Sequence, residues 1–337
     1  VSDGALADRQ QRIVRYLRVS VTDRCNYRCT YCRPAAGGPP PSPRGEVLSF
    51  EEIARLVGCF VRLGVHRVRL TGGEPTVRRD LPLLVEMLRR QGGIDDLALS
   101  TNGHLLPELA APLRRAGVDR LNVSLDTLHQ DRFARITRGG DLARVQAGIA
   151  AARAAGYASI KVNAVAVRGF NDDELPALAA YAWERDLVPR FIEQMPMADG
   201  ALFVPGAFMG AADIRAAIAA DLPRGARLVP EPADERLGAG PARYFRVEPG
   251  DRRFGIISPL TEHFCDSCNR LRLSSSGALH TCLAYDDAVD LRRVLAEAGE
   301  DAVVAAIRRA VAGKRDGHQF GLLGIGGPRK AMVQIGG

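Results

Sequence analysis

Along the first two thirds of the chain, short β-branched runs alternate with longer stretches whose apolar residues recur at helical spacing. RYLRVSVT (15–22), RVRLT (67–71), DLALS (96–100), RLNVSLD (120–126), SIKVNAVAV (159–167) and RFIEQM (190–195) read as strands. Helices are expected between them over 81–91, 105–116, 142–155 and 173–185. Another helix is marked by Ser49 with Glu52 three residues on, a capping box that satisfies two backbone donors, ahead of Ile53, Leu56, Val57 and Phe60. Six strands alternating with helices predict a parallel sheet covered by its crossovers, because parallel neighbours cannot be joined by a tight turn. The expected fold is α/β, a partial (βα)6 TIM-like barrel.

After Met195 the pattern changes. A Pro/Gly-rich crossing leads to a short helix over 213–220, and then to short, turn-separated runs that read as antiparallel strands: ARLVP, ARYFRV, RFGIIS, RLRLS and ALHTC. Two helices are expected near 287–297 and 299–312, before a glycine-rich tail. Residues 1–220 are read as the barrel and 221–337 as a C-terminal α+β extension. RPAAGGPPPSPRGE (33–46) is a loop.

Chemistry in such barrels collects at the carboxyl ends of the strands. Here strand one runs into a cysteine-rich loop, strand two into TGGEP (71–75) and strand three into STNG (100–103). Strand four ends at Ser124 and Asp126, strand five carries Lys161 and Asn163, and strand six ends at Gln194 and Met195. A site on the rim is expected.

Composition narrows the class. The 25% charged and 46% hydrophobic fractions are those of an ordinary globular protein. No apolar run of about 18 residues predicts a membrane helix, and VSDGALADRQ lacks the apolar core of a signal peptide. The expectation is a cytoplasmic protein, in which seven cysteines mean metal or catalysis rather than disulfides. Net charge is +7, with Lys161, Lys314 and Lys330 the only lysines. No basic helix with interleaved aromatics argues for nucleic acid. Lys161 lies in an otherwise apolar strand, where a buried ammonium calls for an anion.

TDRCNYRCTYC (22–32) holds Cys25, Cys29 and Cys32. A structural zinc wants four ligands, and this loop supplies three. A cubane iron–sulfur cluster held by three thiolates keeps one iron open for a small molecule. CxxxCxxC after the first strand, with Tyr31 before the third cysteine and GGEP after the second strand, resembles the radical S-adenosylmethionine superfamily. That resemblance implies a [4Fe-4S] cluster whose open iron binds S-adenosylmethionine, with GGEP at the methionine amino group and Tyr31 near the adenine.

HFCDSCNRLRLSSSGALHTC (263–282) adds Cys265, Cys268 and Cys282. Spacing alone leaves zinc and iron–sulfur both open here, since His263 or His280 would complete a Cys3His site. Cys59, inside the capped helix, reads as packing. Arg270 and Arg272 follow the second thiol loop at strand spacing, which puts both on one face. Arginine's fork grips phosphate oxygens in pairs.

Taken together, LRVSVTDRCNYRCTYC, RLTGGEP, TNG, NVSLD, KVNAV, CDSCNRLRL with Cys282, and the terminal Gly336-Gly337 are similar to the GTP 3′,8-cyclases. The resemblance spans nearly the whole chain. It implies two [4Fe-4S] clusters, the second binding the guanine of GTP, and S-adenosylmethionine as cofactor. A 5′-deoxyadenosyl radical would abstract the 3′-hydrogen of GTP to yield 3′,8-cyclo-7,8-dihydro-GTP, the first step of molybdenum cofactor biosynthesis. Motif by motif it implies Arg18, Arg69, Ser100, Lys161, Arg270, Leu271 and Arg272 on the GTP side. Ser100 stands where threonine is usual, leaving either it or Thr101 as the contact. Tyr31, Gly73, Ser124 and Met195 are implied on the S-adenosylmethionine side. Arg270, Arg272, Gly336 and Gly337 are implied in catalysis, the two glycines because a backbone without side chains can enter a crowded cavity. Implied partners are a flavodoxin- or ferredoxin-like electron donor, a downstream cyclic pyranopterin monophosphate synthase and a second copy of the chain. Two other readings compete: a peptide-modifying radical enzyme with an auxiliary cluster, and a zinc-stabilised nucleic-acid-binding protein without catalysis.

Overall fold

The computed structural model describes residues 5–34, 40–157, 159–198, 200–232 and 240–335. The first half alternates as the pattern predicts: β1 (Tyr16–Ser20), α1 (Phe50–Arg62), β2 (Arg67–Thr71), α2 (Leu81–Gln91), β3 (Asp96–Thr101), α3 (Leu106–Ala116) and β4 (Arg120–Ser124). Two helices, α4 (Gln130–Thr137) and α5 (Leu142–Ala154), then precede β5 (Ser159–Ala166), α6 (Leu175–Trp183), β6 (Val188–Glu193) and α7 (Ala211–Ala220). The capping box forms as expected: Ser49 Oγ accepts from the Glu52 amide at 3.1 Å, and Glu52 Oε2 from the Ser49 amide at 2.7 Å. Cys59 is fully buried beside Leu56 and Phe60, as packing requires. Sequence reading missed α4, whose eight residues carry a low mean hydropathy and bury only Phe133, Ile136 and Thr137.

Strands β7 (Arg227–Glu231), β8 (Arg243–Glu248), β9 (Arg253–Ile257), β10 (Arg270–Leu273), β11 (Ala278–His280) and β12 (Val289–Asp290) follow, then α8 (Leu291–Ala312). The two helices expected at the end meet within α8, where Gly299 takes φ 76° and breaks the helical path. The antiparallel expectation for these strands is corrected in part. Pairs β7–β8, β8–β9, β10–β11 and β11–β12 are antiparallel, but β9 lies parallel to β6 and β10 parallel to β1. One sheet results, in the order β12-β11-β10-β1-β2-β3-β4-β5-β6-β9-β8-β7. The physical reason is edge satisfaction. A partial barrel of six strands leaves the backbone groups of β1 and β6 unpaired, and later strands pair with both.

Leu17, Val19, Val68, Leu70, Leu97, Leu99, Leu121 and Val123 face the helices and are buried. The alternate positions of the same strands carry Arg18, Arg69, Ser100 and Asn122 and face inward. A period of two thus gives an apolar outer layer and a polar interior.

Candidate functional site

Both thiol trios open onto one cavity of about 370 Å³ at the carboxyl ends of the strands, lined by all six cysteines and by Arg18, Arg69, Ser100, Ser124, Met195, Arg270 and Arg272. The cysteines are free thiols, each partly buried. The first loop is pinned from outside by the end of α4. Arg28 and Thr30 amides donate to the Thr137 and Ile136 carbonyls at 3.0 and 2.9 Å, and Arg138 Nη1 bridges the Arg28 and Arg33 carbonyls at 2.9 Å each.

From inside, the GGEP loop packs on it backbone to backbone. Gly73 and Glu74 amides donate to the Thr22 and Arg24 carbonyls at 2.7 and 2.8 Å. A Cβ on Gly73 would stand 2.4 Å from the Arg24 carbonyl oxygen, so no other residue fits this approach. Glu74 is buried and accepts from the Thr76 hydroxyl (2.6 Å), the Thr101 hydroxyl (2.7 Å) and the Asn102 amide (2.6 Å), tying the second strand end to the third. Ser100 and Thr101 both line the cavity, but the Thr101 hydroxyl is engaged by Glu74 and the residue is buried. Tyr31 donates to Asp126 Oδ2 at 2.7 Å, and Asp126 Oδ1 accepts from the Val165 amide at 2.8 Å. Burial raises the Asp126 carboxyl to about 6.

The opposite wall comes from strand register. Arg272 of β10, Arg18 of β1 and Arg69 of β2 stand side by side in one row, with Arg270 paired to Tyr16 one step below. Arg190 of β6 lies deeper, donating to Asn163 Oδ1 at 2.9 Å and to Asn122 Oδ1. Lys161, buried on β5, does not line the cavity but sits beneath this group. Cations this close and this dry oppose one another's charge. Burial, then Arg272, holds Arg18 well below the usual guanidinium range; burial, then Arg270, brings Arg272 to about 10; burial, then Arg190 and Arg69, brings Lys161 to about 6. Arg69 Nε is buried without a hydrogen-bond partner. Such a wall is built for a polyanion.

Burial also pushes the Cys25 and Cys32 thiols up to about 11 and 12. Cys268 goes the other way, to about 7, because Arg270 and Lys314 outweigh its burial. Among the described residues no group of three or more His, Cys, Asp or Glu side chains stands as a site for a single metal ion. His263 is engaged with the Pro259 carbonyl at 2.9 Å and lies 3.3 Å from His318, and His280 is buried on β11.

The structure does not bring every expected residue to the cavity. Leu271 is fully buried on the outer face of β10, between the two arginines that face inward. Gly336 and Gly337 lie outside the described residues. Met332 and Val333, just before them, do line the cavity, and the Val333 amide bears on the Cys32 thiol. Sequence reading passed over Arg190, although a lone arginine in an apolar strand is the same signal that singled out Lys161.

Comparisons with known proteins agree with this geometry. The profile of the Radical SAM superfamily matches residues 19–182, and that named Molybdenum Cofactor Synthesis C matches 188–320. The chain is 46% identical to the GTP 3′,8-cyclase of Pelotomaculum thermopropionicum over 98% of its own length and 100% of that protein. It is 41% identical to the GTP 3′,8-cyclase of Hydrogenovibrio crunogenus over 99% and 100%. Among solved structures, HydG, a maturase of the [FeFe]-hydrogenase, superposes with TM-score 0.51 at 15% identity, covering 60% of this chain and 48% of its own, and shares the fold. Sequence, thiol spacing and fold converge: the chain belongs to the GTP 3′,8-cyclases of the radical S-adenosylmethionine superfamily.

Proposed function

We propose that the chain converts GTP into 3′,8-cyclo-7,8-dihydro-GTP in molybdenum cofactor biosynthesis, with a [4Fe-4S] cluster on each thiol trio and S-adenosylmethionine as the radical source. The observation that carries this reading is the single cavity lined by both thiol trios and by a row of arginines. The donor sets fit the clusters. Thiols raised to about 11 and 12 by burial stay protonated in water-like chemistry, and become thiolates when iron takes the proton's place.

When bound, the first cluster and S-adenosylmethionine supply one-electron reductive cleavage and hence the 5′-deoxyadenosyl radical. The chain's residues do the rest by placement. Cys25, Cys29 and Cys32 hold the first cluster. Gly73, with its bare backbone, Tyr31, fixed by Asp126, and Ser124 and Met195 all line the cavity and would hold S-adenosylmethionine there. Arg18, Arg69, Arg270 and Arg272, backed by Arg190 and Lys161, bind the triphosphate, and Ser100 rather than the engaged Thr101 offers it a hydroxyl. Cys265, Cys268 and Cys282 would hold the second cluster, which would supply a binding site for the guanine. Holding GTP at both ends would restrict its approach to the cofactor, and Met195, Met197, Phe264 and Phe320, which line the cavity, would exclude water there. A flavodoxin- or ferredoxin-like protein is the proposed electron donor, and cyclic pyranopterin monophosphate synthase the consumer of the product. The active form is proposed to be a homodimer.

The test uses anaerobically reconstituted protein, reductant, S-adenosylmethionine and GTP deuterated at the 3′ carbon. Deuterium is expected in the 5′-deoxyadenosine. Unlabelled 5′-deoxyadenosine would leave the superfamily chemistry standing and refute abstraction at that carbon.

A further inference from the structure

Two buried cations stand behind the second thiol trio without lining the cavity. Arg12, in the hairpin before β1, is 6% exposed and pairs with Asp8, Nε to Oδ2 at 2.5 Å. Its other donors go to backbone carbonyls: Nη1 to Cys265 (2.9 Å) and Asp316 (2.8 Å), Nη2 to Arg315 (2.7 Å). Lys314, just past α8, is 5% exposed, and its Nζ donates to the carbonyls of Thr281 and, at 3.4 Å, of Arg270. Its partners are carbonyls, with no carboxylate in ion-pair contact among the described residues. Between them the two cations hold the backbone at Cys265, two residues after Cys268, and immediately before Cys282. The segment that carries Lys314 also packs on the first of these thiols: Tyr285 Oη donates to the Gly317 carbonyl at 3.0 Å, and a Cβ on Gly317 would lie 3.7 Å from Cys265 Sγ.

A buried ammonium facing only neutral carbonyls is costly. The cost falls when negative charge arrives nearby, as it does when three thiolates close around an iron–sulfur core. Net charge and hydrogen bonding around a cluster in turn set its potential. We propose that Arg12 and Lys314 are positioning residues of the second centre: together they fix the backbone at Cys265 and close to Cys268 and Cys282, and Lys314 supplies the charge that raises its reduction potential. This rests on the reading that the second trio holds a cluster.

The experiment takes the full chain with Cys25, Cys29 and Cys32 each changed to Ser, reconstituted anaerobically so that the second trio is the remaining cluster site. About four irons per chain in this parent check the underlying reading; a parent that binds none refutes it, and the proposal with it. Potentiometric titration followed by electron paramagnetic resonance then compares Lys314→Met with Lys314→Arg. Lys314→Met is expected to disfavour reduction about tenfold, equivalent to about 59 mV for one electron, and Lys314→Arg to restore most of it. Loss of iron in Lys314→Met that Lys314→Arg repairs supports the proposal equally. Full iron with an unchanged potential in Lys314→Met, or equal loss of iron in both variants, overturns it. Arg12→Met is expected to surrender iron to a chelator several-fold faster than the parent, and an unchanged rate removes Arg12 from the proposal.

Discussion

Lys161 shows what a single residue in this interior does. Burial and the neighbouring guanidinium groups bring its ammonium to about 6. In the free protein it is therefore largely neutral at pH 7.5, and a triphosphate favours its charged form. GTP binding must then take up a proton above about pH 6 but not below. Affinity is expected to fall with rising pH by up to tenfold per unit, through the window between about 6 and the bound-state value. Titration of the holoprotein between pH 6 and 8 checks this, and Lys161→Gln should flatten the profile relative to the unaltered chain. Gly73 makes the opposite kind of point, since its role is the absence of atoms. Gly73→Ala places a Cβ 2.4 Å from the Arg24 carbonyl oxygen and is expected to cost about 1–3 kcal/mol. The visible outcome is loss of iron from the first trio with the second retained, read by iron analysis and resonance spectroscopy. The lysine and the TGGEP motif both stand out in the sequence, because an ammonium in an apolar strand and a double glycine at a strand end each depart from the local pattern. The arginine row does not stand out, because adjacency across β10, β1 and β2 is a matter of register.

At the scale of elements, the joints between barrel and extension matter most. Glu193, at the end of β6, is fully buried and accepts from the amides of Ala211, Leu260 and Thr261 and from the Thr261 hydroxyl. One carboxylate thus fastens the start of α7 and the turn after β9 to the strand that precedes Met195. Glu193→Ala leaves the Leu260 and Thr261 donors without an acceptor and the Ala211 amide with only the Thr261 hydroxyl at 3.2 Å, at about 1–3 kcal/mol for each donor that finds no water. Denaturant unfolding should show a loss of about 3 kcal/mol or more, and a change under 1 kcal/mol would refute this role. The helix α4 acts similarly on the first thiol loop through backbone bonds from residues 136 and 137. Its polar sequence hides it, because it covers a loop rather than the sheet and needs few apolar residues.

Across the whole molecule, the sheet runs through the place where composition changes. The boundary expected near residue 220 falls between α7 and β7, yet β9 and β10 pair with β6 and β1 on opposite sides of the barrel. Edges shared in this way should make the strands open together. Amide exchange in β9 and β10 is expected to show the same opening free energy as β1 and β6. Faster exchange confined to residues 253–257 and 270–273 would instead mean an independently unfolding extension.

The chain's own order of residues determined a great deal. Period-two and period-3.6 patterning set six strands and most helices, because each element must present one apolar face to a common core. The thiol spacings and the strand-end motifs marked the chemistry, because thiols grouped in a loop, or brought back by one hairpin, can converge on one centre. Only the tertiary structure decided that both trios face one cavity, that three arginines share a row, that Arg190 joins the cavity wall, and that Arg12 and Lys314 stand behind the second trio. Those facts depend on which strands pair and in what register. Pairing between β10 and β1 joins residues some 250 positions apart, and local pattern carries no information over that distance.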